Sequence, residues 1–455
     1  MHASTVIHSH LTARDTTARL AAQGTLPPDA ACDGLPEVRV DLRCRFQRLE
    51  GFGGAFTEAA AVTWQALGPA RREEVLARYF DSEGGHGYRL CRLHMNSCDF
   101  ALGNYAHVET PGDVALQSFS IARDRQALLP FIQAAQHAAG ASLKLLASPW
   151  SPPAWMKSNG QMNHGGRLLP QFRDAWARCF VRFIEAYEAE GVPIWAVSVQ
   201  NEPSATQRWD SCLYSAEEER DFVRDHLGPT LHRAGLGHVK IVIGDHNRDL
   251  MVERAGTIYA DADAARFVWG TGFHWYGDDH FDHVQLAHDA WPDKQLLFTE
   301  GCQEGGPHLG SWDLGERYAR SIINDLNRWT VGWIDWNLLL DDTGGPNHVG
   351  NLCSAPLLAD TRADALLPQS SYHYLGHFAR FIRPGAMRVL CAASSQHLET
   401  TAFVHDDGGV ATVVMNRTEE PIRFALRIGT DATATATVLP PRSIATYVTE
   451  SGHDA

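Results

Sequence analysis

A chain of 455 residues with 44% hydrophobic and 20% charged side chains has room for one large domain of roughly 250 to 350 residues and a smaller companion. With no charge block or low-complexity tract, it excludes a disordered body. Its formal net charge of −15 excludes the clustered basic surface a nucleic acid requires and offers no attraction to an anionic membrane, which leaves a neutral ligand. Every apolar run stops well short of the roughly 20 residues of a transmembrane segment. Residues 1–24 lack the apolar core of a signal peptide, so the chain is expected in the cytoplasm.

Residues 1–30 carry no clear periodicity and read as a loosely attached arm. Within 31–47, Val38, Val40, Leu42, Cys44 and Phe46 alternate with polar residues, a period of two that places one strand face on a core. From 48 to 384 apolar strands alternate with segments of 3.6-residue period, the pattern of a parallel α/β fold. Eight strands are expected, at 48–56, 88–95, 143–150, 194–201, 239–245, 270–276, 295–300 and 331–340, the number that closes a (β/α)8 TIM barrel. Trp176, Phe180, Phe183 and Tyr187 form the core stripe of one helix, which stops at Gly191-Val192-Pro193. A second helix, from about 312 to 329, carries Tyr318, Ile322, Asp325 and Trp329 at helical spacing. From 385 to 455 short alternating strands return, at 401–404, 410–416, 422–428, 433–439 and 443–448, with turns at Asp406-Asp407-Gly408-Gly409 and Pro440-Pro441. This predicts an attached antiparallel β-sandwich that also takes up the strand around Val38.

The nine cysteines are an odd set without a CxxC pair, which favours reduced thiols over a disulfide framework. Among the 23 histidines there is no HExxH, and pairs such as His8/His10 and His94/Cys98 stand alone, so neither a metal nor another cofactor is expected.

In a barrel of this kind, polar residues at the C-terminal ends of strands face the mouth. Those ends carry Arg92 and Asp99, Trp150, Asn201 and Glu202, His274, Trp275 and Tyr276, Glu300, and Trp333 and Trp336. Glu202 precedes Pro203, which ends strand pairing and releases the carboxylate, and Glu300 ends its own apolar run in the same manner. Strands four and seven lie across the barrel from one another, so the two glutamates can converge, and paired carboxylates are what glycoside hydrolysis requires. Indole rings at Trp150 and Trp336 would supply flat apolar area for a sugar.

GFGGAFTEAA at 51–60, SCDF at 97–100, ASPWSPPAWMKSNG at 147–160, VQNEPSA at 199–205, HWY at 274–276, TEGC at 299–302 and GWIDWNLLLDDTGGPNHVGN at 332–351 together resemble glycoside hydrolase family 30, nearest its glucosylceramidase branch. The likeness runs in order from about residue 45 to the C-terminus. It implies a retaining β-glycosidase with Glu202 as acid/base and Glu300 as nucleophile. By the same resemblance Asn201 contacts the sugar 2-hydroxyl, Asp99 and Trp336 bracket distal hydroxyls, and Trp150 and Asn351 complete the pocket. Arg92 and Tyr276 orient the nucleophile and His274 lines the wall. The implied substrate is a β-glucoside, small-molecule, oligosaccharide or glycolipid, with the aglycone and the oligomeric state open. The alternatives are a β-1,6-glucanase, β-xylosidase or β-fucosidase of the same chemistry, a non-catalytic carbohydrate-binding protein, and a histidine-based metal hydrolase.

Overall fold

The computed structural model describes residues 6–26, 32–429 and 434–450. Eight parallel strands close into a barrel in chain order: β1 (Gly51–Phe56), β2 (Leu90–Met95), β3 (Lys144–Pro149), β4 (Ala196–Ser198), β5 (Lys240–Asn247), β6 (Val268–His274), β7 (Gln295–Glu300) and β8 (Thr330–Asn337), with β8 pairing back onto β1. Side chains alternate across a strand, so Leu90, Leu146, Ala196, Val242, Leu297 and Ile334 meet in a single apolar layer inside the barrel. Glycine fills the tight places. A Cβ on Gly53 would lie 1.7 Å from the Leu90 carbonyl oxygen, and one on Gly270 would lie 2.3 Å from that of Gln295.

Two residues farther along five of these strands, the same inward face carries Arg92, Ser148, Ser198, Thr299 and Trp336. The apolar layer is thus the floor of a polar chamber that opens at the strand C-termini. The opposite strand faces bury Cys91, Leu93, Leu145, Val197, Ile241, Ile243, Phe298 and Trp333 in the outer core. Against that core the helix Arg173–Ala189 packs Trp176, Phe180, Phe183, Ile184 and Tyr187, and the helix Asp313–Leu326 packs Tyr318, Ile322 and Leu326. The expected eighth strand, 331–340, divides at Leu338. Leu339–Asp341 leaves the barrel for a three-stranded sheet with Leu357–Asp360 and Ala365–Pro368.

The side domain is one hydrogen-bonded series of nine strands, whose order begins at one edge with Thr435–Leu439, Ile422–Ile428, Glu37–Arg48 and Met387–Ala393. It continues through Leu398–Val404, Val410–Asn416 and Ser443–Thr449 to Ile7–Ala13 and Ala21–Leu26 at the other edge. It folds over so that Phe424, Leu426 and Leu439 share one core with Val414, Ala445 and Tyr447. The segment read as a loose arm therefore supplies two strands. Their sequence conceals this, because Ile7–Ala13 is rich in His, Ser and Thr and Ala21–Leu26 is an edge strand with little buried surface. Met387–Ala393 is a further strand the pattern missed, and Ile422–Ile428 runs parallel, not antiparallel, to Glu37–Arg48. Residues 1–5 and 27–30 of the arm, residue 433 of the expected strand 433–439, and 451–455 lie outside the described residues. Among the described residues no disulfide forms and no helix is long and apolar enough to cross a membrane.

Candidate active site

The polar chamber is organised by Arg92, whose side chain is fully buried. Its guanidinium donates to Glu300 Oε2 at 2.7 Å, to Asp245 Oδ2 at 2.7 Å, to Asn201 Oδ1 at 2.9 Å and to Ser148 Oγ at 3.0 Å. Above it the indoles of Trp150 and Trp336 stack on one another, centroids 5.1 Å apart, and both lie over the cation, Trp150 at 4.8 Å and Trp336 at 5.8 Å. Asn201 gives its amide oxygen to Arg92, so the group it can offer a ligand is its NH2 donor.

Asp245 is the counterweight. Its carboxylate accepts from Arg92, from Ser198 at 2.6 Å, from Thr299 at 2.6 Å and from His274 Nε2 at 3.0 Å. A register shift in β5 between Gly244 and His246 and a left-handed φ of +50° at Asp245 turn this side chain into the chamber. Burial alone would raise its pKa, but the Arg92 charge and the His274 hydrogen bond hold it well below the usual carboxylate range. For His274, burial works toward the neutral form. The charge of Glu300 and the hydrogen bonds to Asp245 and Glu202 outweigh it and push the imidazole up to about 9.

Glu202 and Glu300 face each other across this cluster. Glu202, His274 and Glu300 each bring one atom to within 4.8 Å of the other two, so the two carboxyls approach at least that closely. Glu300 accepts short bonds from Arg92 and from Tyr276 Oη at 2.8 Å, whereas Glu202 meets His274 Nδ1 at 3.4 Å. The Glu202 backbone, at φ +45°, bonds back to β5 through its N–H and the Asp245 carbonyl at 2.9 Å. Burial, opposed by His274 and Arg92 and helped by repulsion from Glu202, leaves Glu300 above its ordinary range. Glu202 is pushed up by burial but held below its own range by the His274 hydrogen bond and by the His246 and His274 charges. Two carboxyls this close titrate as one unit. Those two directions favour a proton on Glu300 over one on Glu202. Arg92 and Tyr276 are the donors that stabilise the other arrangement, with Glu300 ionised and the proton on Glu202.

The cavity between them has a volume of about 230 Å³. Of the residues singled out by sequence, Asp99, Trp150, Asn201, Glu202, Tyr276, Glu300, Trp336 and Asn351 line it; Arg92 and His274 lie behind the wall and hold it. Asn351 donates to Asp99 Oδ2 at 3.0 Å, and burial with the charge of Glu300 pushes Asp99 up to about 8. Trp275 and Trp333 are not in the mouth. They point outward and pack with Phe298 and Tyr318 behind the barrel wall, Trp333 stacked on Phe298 at 4.2 Å. Asp245, Ser148, Ser198 and Thr299 of the chamber, and Gln207, Trp209, His246, Asn247, Cys302, Glu304 and Cys353 of the cavity wall, were not expected. For Asp245 a signal existed, since it is a carboxylate at a strand C-terminus like Glu202 and Glu300.

Glu202, His274 and Glu300 have the spacing of a metal-ligand set. Yet a protonated His274 spends both ring N–H groups on Glu202 and Asp245 and has no lone pair to offer a metal, and Arg92 already occupies Glu300. The donor chemistry is that of a proton-handling pair. His280, Asp282 and His283 form a second His/Asp group elsewhere, partly exposed.

Residues 49–382 match the glycosyl hydrolase family 30 TIM-barrel domain, and residues 385–447 match the family's β-sandwich domain. The lysosomal acid glucosylceramidase of Mus musculus is 38% identical over 423 residues, 89% of this chain and 81% of that protein. The crystal structure of SrfJ from Salmonella typhimurium is 37% identical with a TM-score of 0.91, covering 97% of this chain and 99% of that one. An endo-β1,6-glucanase structure is 27% identical with a TM-score of 0.88, over the same shares of the two chains.

Proposed function

The chain belongs to glycosyl hydrolase family 30, a family of retaining β-glycosidases, and from that membership we propose that it removes a terminal β-glucosyl unit by double displacement. The observation that carries the mechanism is the approach of Glu202 and Glu300 to within 4.8 Å. A retaining pair stands about 5 to 5.5 Å apart, whereas an inverting pair needs about 6.5 to 9.5 Å to admit a water. The difference in their donors divides the labour. Glu300, held by Arg92 and Tyr276, attacks the anomeric carbon. As the C1–O bond breaks, Glu202 transfers its proton to the departing oxygen. Glu202, now ionised, takes a proton from water, whose oxygen attacks C1 and frees Glu300, so two inversions restore the β configuration.

Around the sugar, the Asn201 NH2 meets the 2-hydroxyl, Asp99 and Trp336 bracket the distal hydroxyls, and Trp150 and Asn351 close the pocket. A cavity of about 230 Å³ is smaller than the ~300–1,000 Å³ of drug-sized sites, which favours one sugar ring at a chain end. The likeness to an endo-β1,6-glucanase favours a second reading, a β-1,6-glucan substrate, against which this small cavity weighs. Incubation with a 2-deoxy-2-fluoro β-glucoside and peptide mapping tests the mechanism: the label is expected on Glu300, and a label elsewhere overturns the assignment. Rates on aryl β-glucosides, glucosylceramide and β-1,6-linked glucans separate the substrate readings.

A further inference from the structure

Among the side chains of the cavity wall to which the double displacement gives no role are two thiols, Cys302 and Cys353. Both line the cavity together with Asp99, Glu202, Glu300 and Glu304, and both are buried. Cys302 follows Glu300 by two residues, and its Sγ lies 3.5 Å from the hydroxyl of Tyr276, which in turn donates to Glu300. Cys353 comes from the segment after β8. An isolated antiparallel bridge sets it opposite Glu304, and the Ser354 N–H donates to the Gln303 carbonyl at 2.8 Å, so the two cysteine segments run side by side. Burial first, and the neighbouring Cys353 after it, push the Cys302 thiol well above its ordinary range, and the Cys353 Sγ lies 3.7 Å from the Asn351 carbonyl oxygen.

The charge of the cavity does not itself select a cation, since Asp99 is neutral below about 8 and Arg92 and a protonated His274 stand behind the wall; the ligand atoms decide what can bind. Hard ions such as Mg²⁺ and Ca²⁺ require six or more oxygen ligands, but Glu300 and Asp99 already accept from Arg92, Tyr276 and Asn351. Two sulfur donors side by side select soft ions instead.

We propose that Cys302 and Cys353 form a dithiol site for one thiophilic d10 cation, of the Ag⁺ or Cu⁺ class, whose binding occupies the sugar cavity and stops hydrolysis. On binding, each thiol releases its proton to solvent, two sulfur–metal bonds form, and nothing is oxidised or reduced. A metal on Cys302 also displaces the sulfur that borders Tyr276, loosening a donor of Glu300. The inhibitory consequence rests on the cavity being the sugar site.

Silver nitrate in chloride-free buffer is the probe, with bound ions counted by native mass spectrometry and hydrolysis of an aryl β-glucoside followed in parallel. Because Cys44 is exposed, a Cys44→Ser background removes one competing thiol. The expected result is loss of activity as one cavity ion binds, and protection by glucose. Cys353→Ser should raise the half-inhibiting concentration by about 10- to 100-fold and bind one ion fewer. Equal sensitivity and an equal ion count in Cys353→Ser, or no protection by glucose, would overturn the proposal. If untreated enzyme hydrolyses no β-glycoside, the glycosidase reading fails, while the ion count in Cys353→Ser still decides whether the dithiol site exists.

Discussion

Asp245→Asn removes the carboxylate to which Arg92 and His274 both hydrogen-bond. The carboxylate accepts four hydrogen bonds of 2.6 to 3.0 Å, and an amide can present an oxygen to only part of that circle, turning its NH2 toward groups that are themselves donors. Removing one partner of a buried ion pair costs about 3–5 kcal/mol. The pH dependence supplies a more specific signature. His274, at about 9 in the fold against about 6.5 when unfolded, contributes stability that is complete below pH 6.5 and disappears as pH rises through 9. Moving the group between those values corresponds to about 3 kcal/mol. Without Asp245, His274 loses one of its two hydrogen-bonded anions, its pKa falls, and the alkaline loss shrinks. Urea unfolding at pH 6, 7.5 and 9 measures both effects. The variant is expected to be markedly less stable at pH 6 and less sensitive to pH above 7. A fall in kcat of about 10²- to 10³-fold should accompany this, from misplacement of the Arg92 donor. A variant as stable as wild type at pH 6, with an undiminished alkaline slope, would refute the idea that Asp245 holds both cations.

On the acid side the signs reverse. Burial lowers His86 to about 3 and His373 to about 4, so both fold neutral, the unfolded chain binds the extra protons, and stability should fall as pH drops below 6.5. His86→Leu should flatten that limb in urea melts, and an unchanged slope would count against His86. Trp333→Ala, which empties a fully buried site behind the barrel wall, should cost about 3–5 kcal/mol. Trp150→Ala, equally buried but lining the cavity, should cost similar stability and lower kcat/KM as well, whereas Trp333→Ala should leave kcat/KM largely unchanged; steady-state kinetics beside unfolding curves measure both. Asp99, neutral below about 8, should tolerate Asp99→Asn at pH 6 with little change in KM. Above pH 8 the wild-type KM should drift and the variant's should not; parallel pH profiles of KM would contradict this.

How far the sequence could be read depended on whether a residue's neighbours were local. Each barrel strand announces itself by an apolar run, and Glu202 and Glu300 stand out because each ends such a run. The direction of a side chain around a strand was harder. In Val331-Gly332-Trp333-Ile334-Asp335-Trp336 both faces are buried, so there is no polar alternation to say which face is inward. Ile334 belongs to the floor layer with Leu90 and Val242, which puts Trp336, two residues on, on the inward face and Trp333 on the other. The strand Ile7–Ala13 failed for the opposite reason, since its polar residues are accommodated by pairing on both sides with Ser443–Thr449 and Ala21–Leu26.

The same distinction explains why the strand pattern finds two glutamates but only the family resemblance tells them apart. Both line the same cavity, Glu300 buried at the end of β7 and Glu202 partly buried in the loop beyond β4. What separates them is who donates to them: Arg92 from β2 and Tyr276 from beyond β6 to Glu300, and His274 from the end of β6, with Gln207, to Glu202. Those donors converge from distant parts of the chain. Asp245 then fixes the two cations among them, through a register shift in β5 and two hydroxyls from β4 and β7. A residue that touches neither sugar nor reacting atom therefore constrains the charge on both carboxyls. It follows that a substitution at Ser198 or Thr299, which weakens the hold on Asp245 without removing its charge, should disturb Arg92 and His274 together and leave neither glutamate's electrostatics untouched.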